Sequence, residues 1–231
     1  MGNSPTLLKL YKVEYMPGSV VLITGASSGL GLALTKVYAA RGCPIVITGR
    51  NEKALIDLVS SCNSEFSNFN VHYVTGEVTI EEDCQKIVDF CIRKFARIDI
   101  CVLAAGVTAH GKFEDSPNLE IFKKIMDVNL FGYVNMTKYV LPHLLKTRGQ
   151  FVVISSMSGI VPLPYRTAYC ASKHAVNGFF RALNYEVGDK IDISICFPPT
   201  LTGSNFRANS LSGEIPEAAV SNKTITVDFA V

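Results

Sequence analysis

Apolar residues along the chain fall into two alternating patterns. Short, nearly continuous runs rich in Val and Ile occur at 19–25 (SVVLITG), 44–50 (PIVITGR), 71–77 (VHYVTGE), 100–106 (ICVLAAG), 150–156 (QFVVISS) and 192–198 (DISICFP). Runs of that length, apolar at successive positions, suit strands buried on both faces of a parallel sheet. Between them apolar positions recur at helical spacing over about 29–41, 52–62, 80–95, 119–146 and 168–187. The order βαβαβαβαβαβ predicts an α/β fold, a doubly wound parallel sheet with helices on both faces and right-handed crossovers.

Neither a repeat nor a linker interrupts this alternation, so a single domain over 18–231 is expected after a flexible leader at 1–17. From 199 to about 225 the composition turns to Ser, Asn, Thr, Gly and Pro, which predicts a long substrate loop over a pocket. At 48% hydrophobic and 18% charged residues the chain reads as globular, not disordered. The net charge of +2 comes without a basic run, so nucleic acid is not an expected partner. Seven scattered cysteines without CxxC spacing read as reduced thiols, and the four histidines form no ligand pair, so no metal site is expected. With no run of 18 apolar residues, no spanning helix is expected. The opening MGNSPT matches the pattern for N-myristoylation at Gly2; the competing reading is a disordered leader.

The first run leads directly into TGASSGLG, residues 24–31, and then into a helix. Gly25, Gly29 and Gly31 allow a sharp turn, close approach to a ligand and tight packing of helix on strand. With Ser27, Ser28 and Leu30 they put unpaired N–H groups and a positive dipole end where a pyrophosphate binds. In this position the octet points to a Rossmann-type dinucleotide site; alone it would be an ordinary glycine-rich turn. At the end of the second run, where an NAD site carries an acid for the ribose hydroxyls, stand Gly49, Arg50 and Asn51. That favours NADP (NADPH) over NAD, with Arg50 on the extra phosphate; a solvated Arg50 is the alternative.

Near the fifth run, Tyr169 and Lys173 stand four residues apart on a helix and so share a face. Ser155 and Ser156 end the preceding strand, at the sheet edge where ligands of such folds sit. A phenol ionises near pH 10 and is a poor acid/base at neutral pH, but a neighbouring ammonium favours its anion. The pair therefore suits proton transfer; the competing reading is a core tyrosine beside a lysine whose stem lies along the surface.

TGASSGLG, VNLFG with Asn129, ISSMSG and YCASK stand in the order and spacing of the short-chain dehydrogenase/reductase family, which the chain resembles over about 18–203. The resemblance implies that Tyr169 is the acid/base, and that Lys173 lowers its pKa and holds the nicotinamide ribose. Ser156, 13 positions before the tyrosine, would bind the substrate oxygen, and Asn129 would anchor a proton relay. It also places Glu77 and Val78 at the adenine, Ala104, Ala105 and Gly106 along the cofactor, and Pro198 and Thr202 near the nicotinamide amide. The chain departs from the family in having LAAG at 103–106 for the usual NNAG, Glu77 for Asp, and Pro198–Pro199 for Pro-Gly. Its final KTITVDFAV resembles the start of a further helix, so the sheet is expected to end before the family's seventh strand.

The branch that handles ketodihydrosphingosine and hydroxysteroids is the most similar. It implies an NADP(H)-dependent oxidoreductase interconverting a ketone and a secondary alcohol, on a lipid-like substrate such as a 3-ketosphinganine or a steroid. Leu163, Pro164, Tyr165 and Phe206 are candidate walls of an apolar pocket. A catalytically silent nucleotide-binding regulator or scaffold of the same fold is the alternative. By analogy a homodimer or homotetramer through the helices at 119–146 and 168–187 is expected, in the cytoplasm or on the cytosolic face of an internal membrane.

Overall fold

The structure is a computed structural model that describes residues 18–199, 201–202, 210–211 and 225–226. The leader with Gly2, Phe206 and most of the 199–225 loop lie outside the described residues. Six strands, β1 (Val21–Thr24), β2 (Ile45–Gly49), β3 (Val71–Thr75), β4 (Ile100–Leu103), β5 (Gln150–Ile154) and β6 (Asp192–Cys196), form one parallel sheet in the order β3-β2-β1-β4-β5-β6. Each lies inside a predicted apolar run. The runs were longer because their last residues leave the sheet to form the ligand-facing loops.

Alternation explains why the runs are apolar at every position. Val21 and Ile23 of β1 face one layer, with Ile45, Ile47, Val71 and Val102, under helices α1 (Gly29–Ala40) and α2 (Glu52–Phe66). Leu22 faces the other, with Val46, Cys101, Leu103, Phe151 and Val153, under α3 (Glu81–Phe95), α5 (Gly132–Thr147) and α6 (Thr167–Val187). Burying each such side chain contributes about 1.5–3 kcal/mol. On α6 the buried positions Tyr169, Lys173, Val176, Phe180, Leu183 and Val187 make one stripe at helical spacing, and that stripe fixes which way the tyrosine and lysine point.

Three expectations need correction. Helix α2 runs to Phe66, four residues past the expected end, where Ser67 stops it in a left-handed conformation at φ 52°. The helix expected over 119–146 is not continuous: α4 (Glu120–Met126) passes into a π-helical turn, Asp127–Phe131, before α5. The turn carries Asn129, which is fully buried and hydrogen-bonded at both ends of its amide, and such turns often mark functional positions. Lastly, Ile225–Thr226, read as near the start of a helix, form strand β8, which pairs in parallel with β7 (Leu201–Thr202). A run of β-branched residues favours the extended backbone there.

Because β1 and β4 are neighbours, the chain turns to opposite sides of the sheet after β1 and after β4. A crevice opens at their carboxyl ends, where such folds hold ligands. Among the described residues no helix is long and apolar enough to cross a membrane, and no three His, Cys, Asp or Glu side chains cluster as metal ligands. All seven cysteines are unpaired thiols.

Candidate active site

The crevice is a cavity of 280 Å³ lined from both halves of the sheet. Its floor on the β1 side is backbone. Gly25 has φ 68°, and a Cβ there would lie 2.6 Å from the Ala105 Cα, so the β1–α1 turn and the end of β4 meet only because the side chain is missing. Gly31 is packed for the same reason, since its Cβ would lie 2.4 Å from the Gly25 carbonyl oxygen. The two loops are tied by Thr24, whose hydroxyl accepts from the Ala104 and Ala105 amides at 3.0 and 3.2 Å. Sequence reasoning noted the missing asparagines of LAAG but not this substitute.

Ser28 is the N-cap of α1 yet makes no side-chain capping hydrogen bond, and no acidic residue stands in the first turn. The helix therefore presents an open, positive N-terminus beside Ser27, Gly29 and Leu30, all in the cavity wall. Arg50 and Glu77 also line the wall and form an ion pair of 3.5 Å, and Val78, Ala104, Ala105 and Gly106 line the same cavity. Three expected contacts lie outside the cavity wall, and for Thr202 the side chain is outside the described residues. Gly31 and Asn129 sit behind the wall, and the Asn51 side chain caps α2 by accepting from the Ala54 amide at 3.1 Å.

The β4–β6 side is built from buried polar side chains. Asn129 donates to the Val107 carbonyl at 3.0 Å and to the Ser172 hydroxyl at 3.0 Å, and accepts from the Val107 amide at 2.9 Å. Ser172 in turn donates to the Tyr169 carbonyl at 2.8 Å, so one amide ties the β4 loop to α6. Ser155 is buried and donates to Asn177 at 2.7 Å, and Asn177 donates to the Gly159 carbonyl. That leaves Ser156 facing the cavity, hydrogen-bonded to Tyr169 and accepting from the Ser158 amide at 3.1 Å.

Tyr169, Lys173, Ser156 and Pro198 all line the same cavity as the glycine-rich turn. Lys173 is only 3% exposed; its Nζ donates to the Ile154 carbonyl at 2.9 Å, and burial holds its pKa down to about 7. The Tyr133 hydroxyl donates to the same carbonyl at 3.0 Å. Burial also pushes the Tyr169 phenol up from its usual value, opposed by the Arg166 guanidinium and by the hydrogen bond with Ser156. Arg166 was not anticipated. It lines the cavity with its guanidinium carbon 4.5 Å from the Tyr169 ring centroid, whereas the Lys173 Nζ is 6.0 Å away. Its position three residues before Tyr169 was the available signal. Leu163 lines the cavity, but Tyr165, expected as a wall, does not; its backbone has φ 62° and its carbonyl accepts from Gly111.

A family model described as short chain dehydrogenase matches residues 19–214. The chain belongs to the short-chain dehydrogenase family. It is 37% identical over 185 residues to 11-beta-hydroxysteroid dehydrogenase A of Sesamum indicum, covering 80% of this chain and 53% of that one. It is 35% identical over 219 residues to Dehydrogenase/reductase SDR family member 7B of Xenopus laevis, covering 92% and 67%. The chain thus spans little more than half of the sesame relative's length. Among solved structures, an alcohol dehydrogenase from Thermococcus sibiricus complexed with 5-hydroxy-NADP shares the fold with a TM-score of 0.82 at 23% identity, over 92% of this chain and 86% of that one. A short chain dehydrogenase/reductase from Burkholderia phymatum in complex with NAD aligns with a TM-score of 0.78 at 24% identity, over 89% and 73%.

Proposed function

We propose that this short-chain dehydrogenase is an NADP(H)-dependent oxidoreductase that interconverts a hydrophobic ketone and a secondary alcohol. The observation that carries the reading is that Tyr169, Lys173 and Ser156 line one cavity with the glycine-rich turn and the open end of α1. The residues fit a dinucleotide: the missing Cβ at Gly25 lets the turn pack against Ala105 in the cavity wall, and the uncapped helix end suits a pyrophosphate. When bound, NADPH supplies the hydride. Leu30, Arg50, Glu77, Val78, Ala104, Ala105 and Gly106 would hold it along the crevice. Arg50, with no carboxylate at 49–51, supports NADP over NAD.

The chain's own part is orientation and proton transfer. Ser156 donates to the substrate oxygen as negative charge grows there, and Tyr169 delivers a proton to that oxygen. Lys173 stands behind the phenol on the same helix face, its ammonium fixed by the Ile154 carbonyl. Asn129 keeps the Val107 segment and α6 in register so that serine and tyrosine meet one atom. Met157 and Leu163 are exposed apolar side chains in the cavity lining, which supports an apolar substrate, as do the hydroxysteroid dehydrogenase names of several relatives. A dimer or tetramer through α5 and α6, in the cytoplasm or against its membranes, fits this reading.

Purified full-length chain with NADPH and a panel of steroid ketones and a 3-ketosphinganine tests it. Product alcohol and matching NADPH loss are expected. Tight NADPH binding without turnover of any member would instead favour a silent nucleotide-binding protein.

A further inference from the structure

We propose that Arg166 is a positioning residue for the acid/base, a second cation held over the Tyr169 ring by Thr108 that favours phenolate over phenol. This rests on the reading of Tyr169 as the acid/base and adds to it a residue that the glycine-rich and tyrosine motifs do not contain. The guanidinium carbon lies 4.5 Å from the ring centroid, closer than the Lys173 Nζ at 6.0 Å. Lys173 is moreover bonded to Ile154 and is depressed by burial to about 7, so at mildly alkaline pH it loses the charge it would lend the phenol. An arginine stays protonated there.

Arg166 does not swing freely. Its Nη2 donates to the Thr108 hydroxyl at 2.9 Å, and Thr108 is fully buried. The same threonine's carbonyl accepts from the Leu211 amide at 2.8 Å and from the Ser210 hydroxyl at 3.4 Å. A second tie, from the Gly111 amide to the Tyr165 carbonyl at 2.9 Å, holds this segment to the start of α6. The clamp on the arginine is therefore also the anchor for the described part of the loop past β7, so seating of that loop and the charge over the phenol are linked through one residue.

The charged and titratable groups around the phenol are Arg166 at the N-cap of its helix, Lys173 and Cys170 on that helix, and Tyr133 from α5. Ser156 faces it from the loop after β5, and His110 lies buried two residues beyond Thr108. Against the burial that favours the neutral phenol, Arg166 stabilises the anion most, ahead of Ser156, while Cys170 opposes it. A guanidinium at this distance, half-buried, shifts a neighbouring ionisation by about half a pH unit or more.

The test reads the phenol directly and needs no substrate. Full-length chain is labelled with difluorotyrosine, which brings phenol ionisation into the neutral to mildly alkaline range, and fluorine NMR follows each ring against pH. The Tyr169 resonance is the one lost in Tyr169→Phe. Arg166→Met is expected to raise its midpoint by about half a pH unit or more, with Arg166→Lys recovering part of the shift. Thr108→Val, which keeps the arginine but removes its clamp, should shift the midpoint the same way by less; it also serves if Arg166→Met does not fold. His110→Gln should leave it in place. An unchanged midpoint in folded Arg166→Met, or an equal shift from His110→Gln, would overturn the proposal. A shifted midpoint in a protein that reduces no ketone would instead leave the electrostatic role standing and remove the catalytic reading of Tyr169.

Discussion

The two ends of the crevice are built from different materials. At the β1–α1 turn the shape is backbone: Gly25 and Gly31 pack where a Cβ would lie 2.6 and 2.4 Å from main-chain atoms, and α1 begins without a side-chain cap. At the α6 end the shape is side chain: Asn129, Ser172, Ser155, Asn177 and Lys173 are all buried and hydrogen-bonded to one another or to backbone. The first end is therefore vulnerable to adding an atom and the second to removing one. A buried polar group whose partner is deleted costs about 1–3 kcal/mol, while a Cβ forced into backbone contact displaces a loop.

Substitutions can separate the two ends. The largest effect belongs to Tyr169→Phe, which removes one oxygen: steady-state ketone reduction should fall about 100- to 10,000-fold while NADPH affinity in a fluorescence titration changes little. A protein that no longer folds would instead make the tyrosine a packing residue. Gly25→Ala should do the reverse, weakening NADPH binding by about tenfold or more with Tyr169 and Lys173 still in place. Unaltered affinity would mean that the turn gives way and the β1–β4 approach is not essential. Asn129→Ala leaves the Val107 amide and carbonyl unpaired, removes the link to Ser172, and should lower unfolding stability in urea by about 2–4 kcal/mol.

Lys173 gives a pH signature. Its pKa is about 7 in the cofactor-free fold against 10.5 for an exposed lysine, so between those values the unfolded chain binds the additional proton and stability rises with pH. The wild-type Tm should thus gain more than that of Lys173→Met on going from pH 7 to pH 9. Equal gains would show that the ammonium is better solvated than its 3% exposure implies. Arg50 is the smallest case, being 70% exposed and paired with Glu77. Arg50→Asp should lower the NADPH-to-NADH ratio of kcat/KM, and an unchanged ratio would reduce the residue to a surface charge.

The same contrast explains what the sequence revealed. Strands buried on both faces, helices with one apolar stripe and a glycine-rich turn are local patterns, so β1 to β6, α1, α3 and α6 lie within a few residues of where the runs predict them. The α6 stripe likewise put Tyr169 and Lys173 on one face. The features that escaped are those created by distant contacts. The π turn at Asp127–Phe131 looks like uninterrupted helix until Asn129 meets Val107, 22 residues earlier. Thr24 joins Ala104 across 80 residues, and Arg166 meets Thr108 across 58. The side chain of Asn51, next to Arg50 in the sequence, is engaged in capping α2.

The central claim is that one cavity both holds the nucleotide and moves the proton. It is tested most directly by following deuterium from NADPH, labelled at its transferable position, into the carbinol carbon of a steroid alcohol product. The account predicts that full-length wild-type chain transfers the label and that Tyr169→Phe binds the same NADPH without transferring it. Saturable NADPH binding by the wild type with no label in any product, or undiminished transfer by Tyr169→Phe, would contradict it.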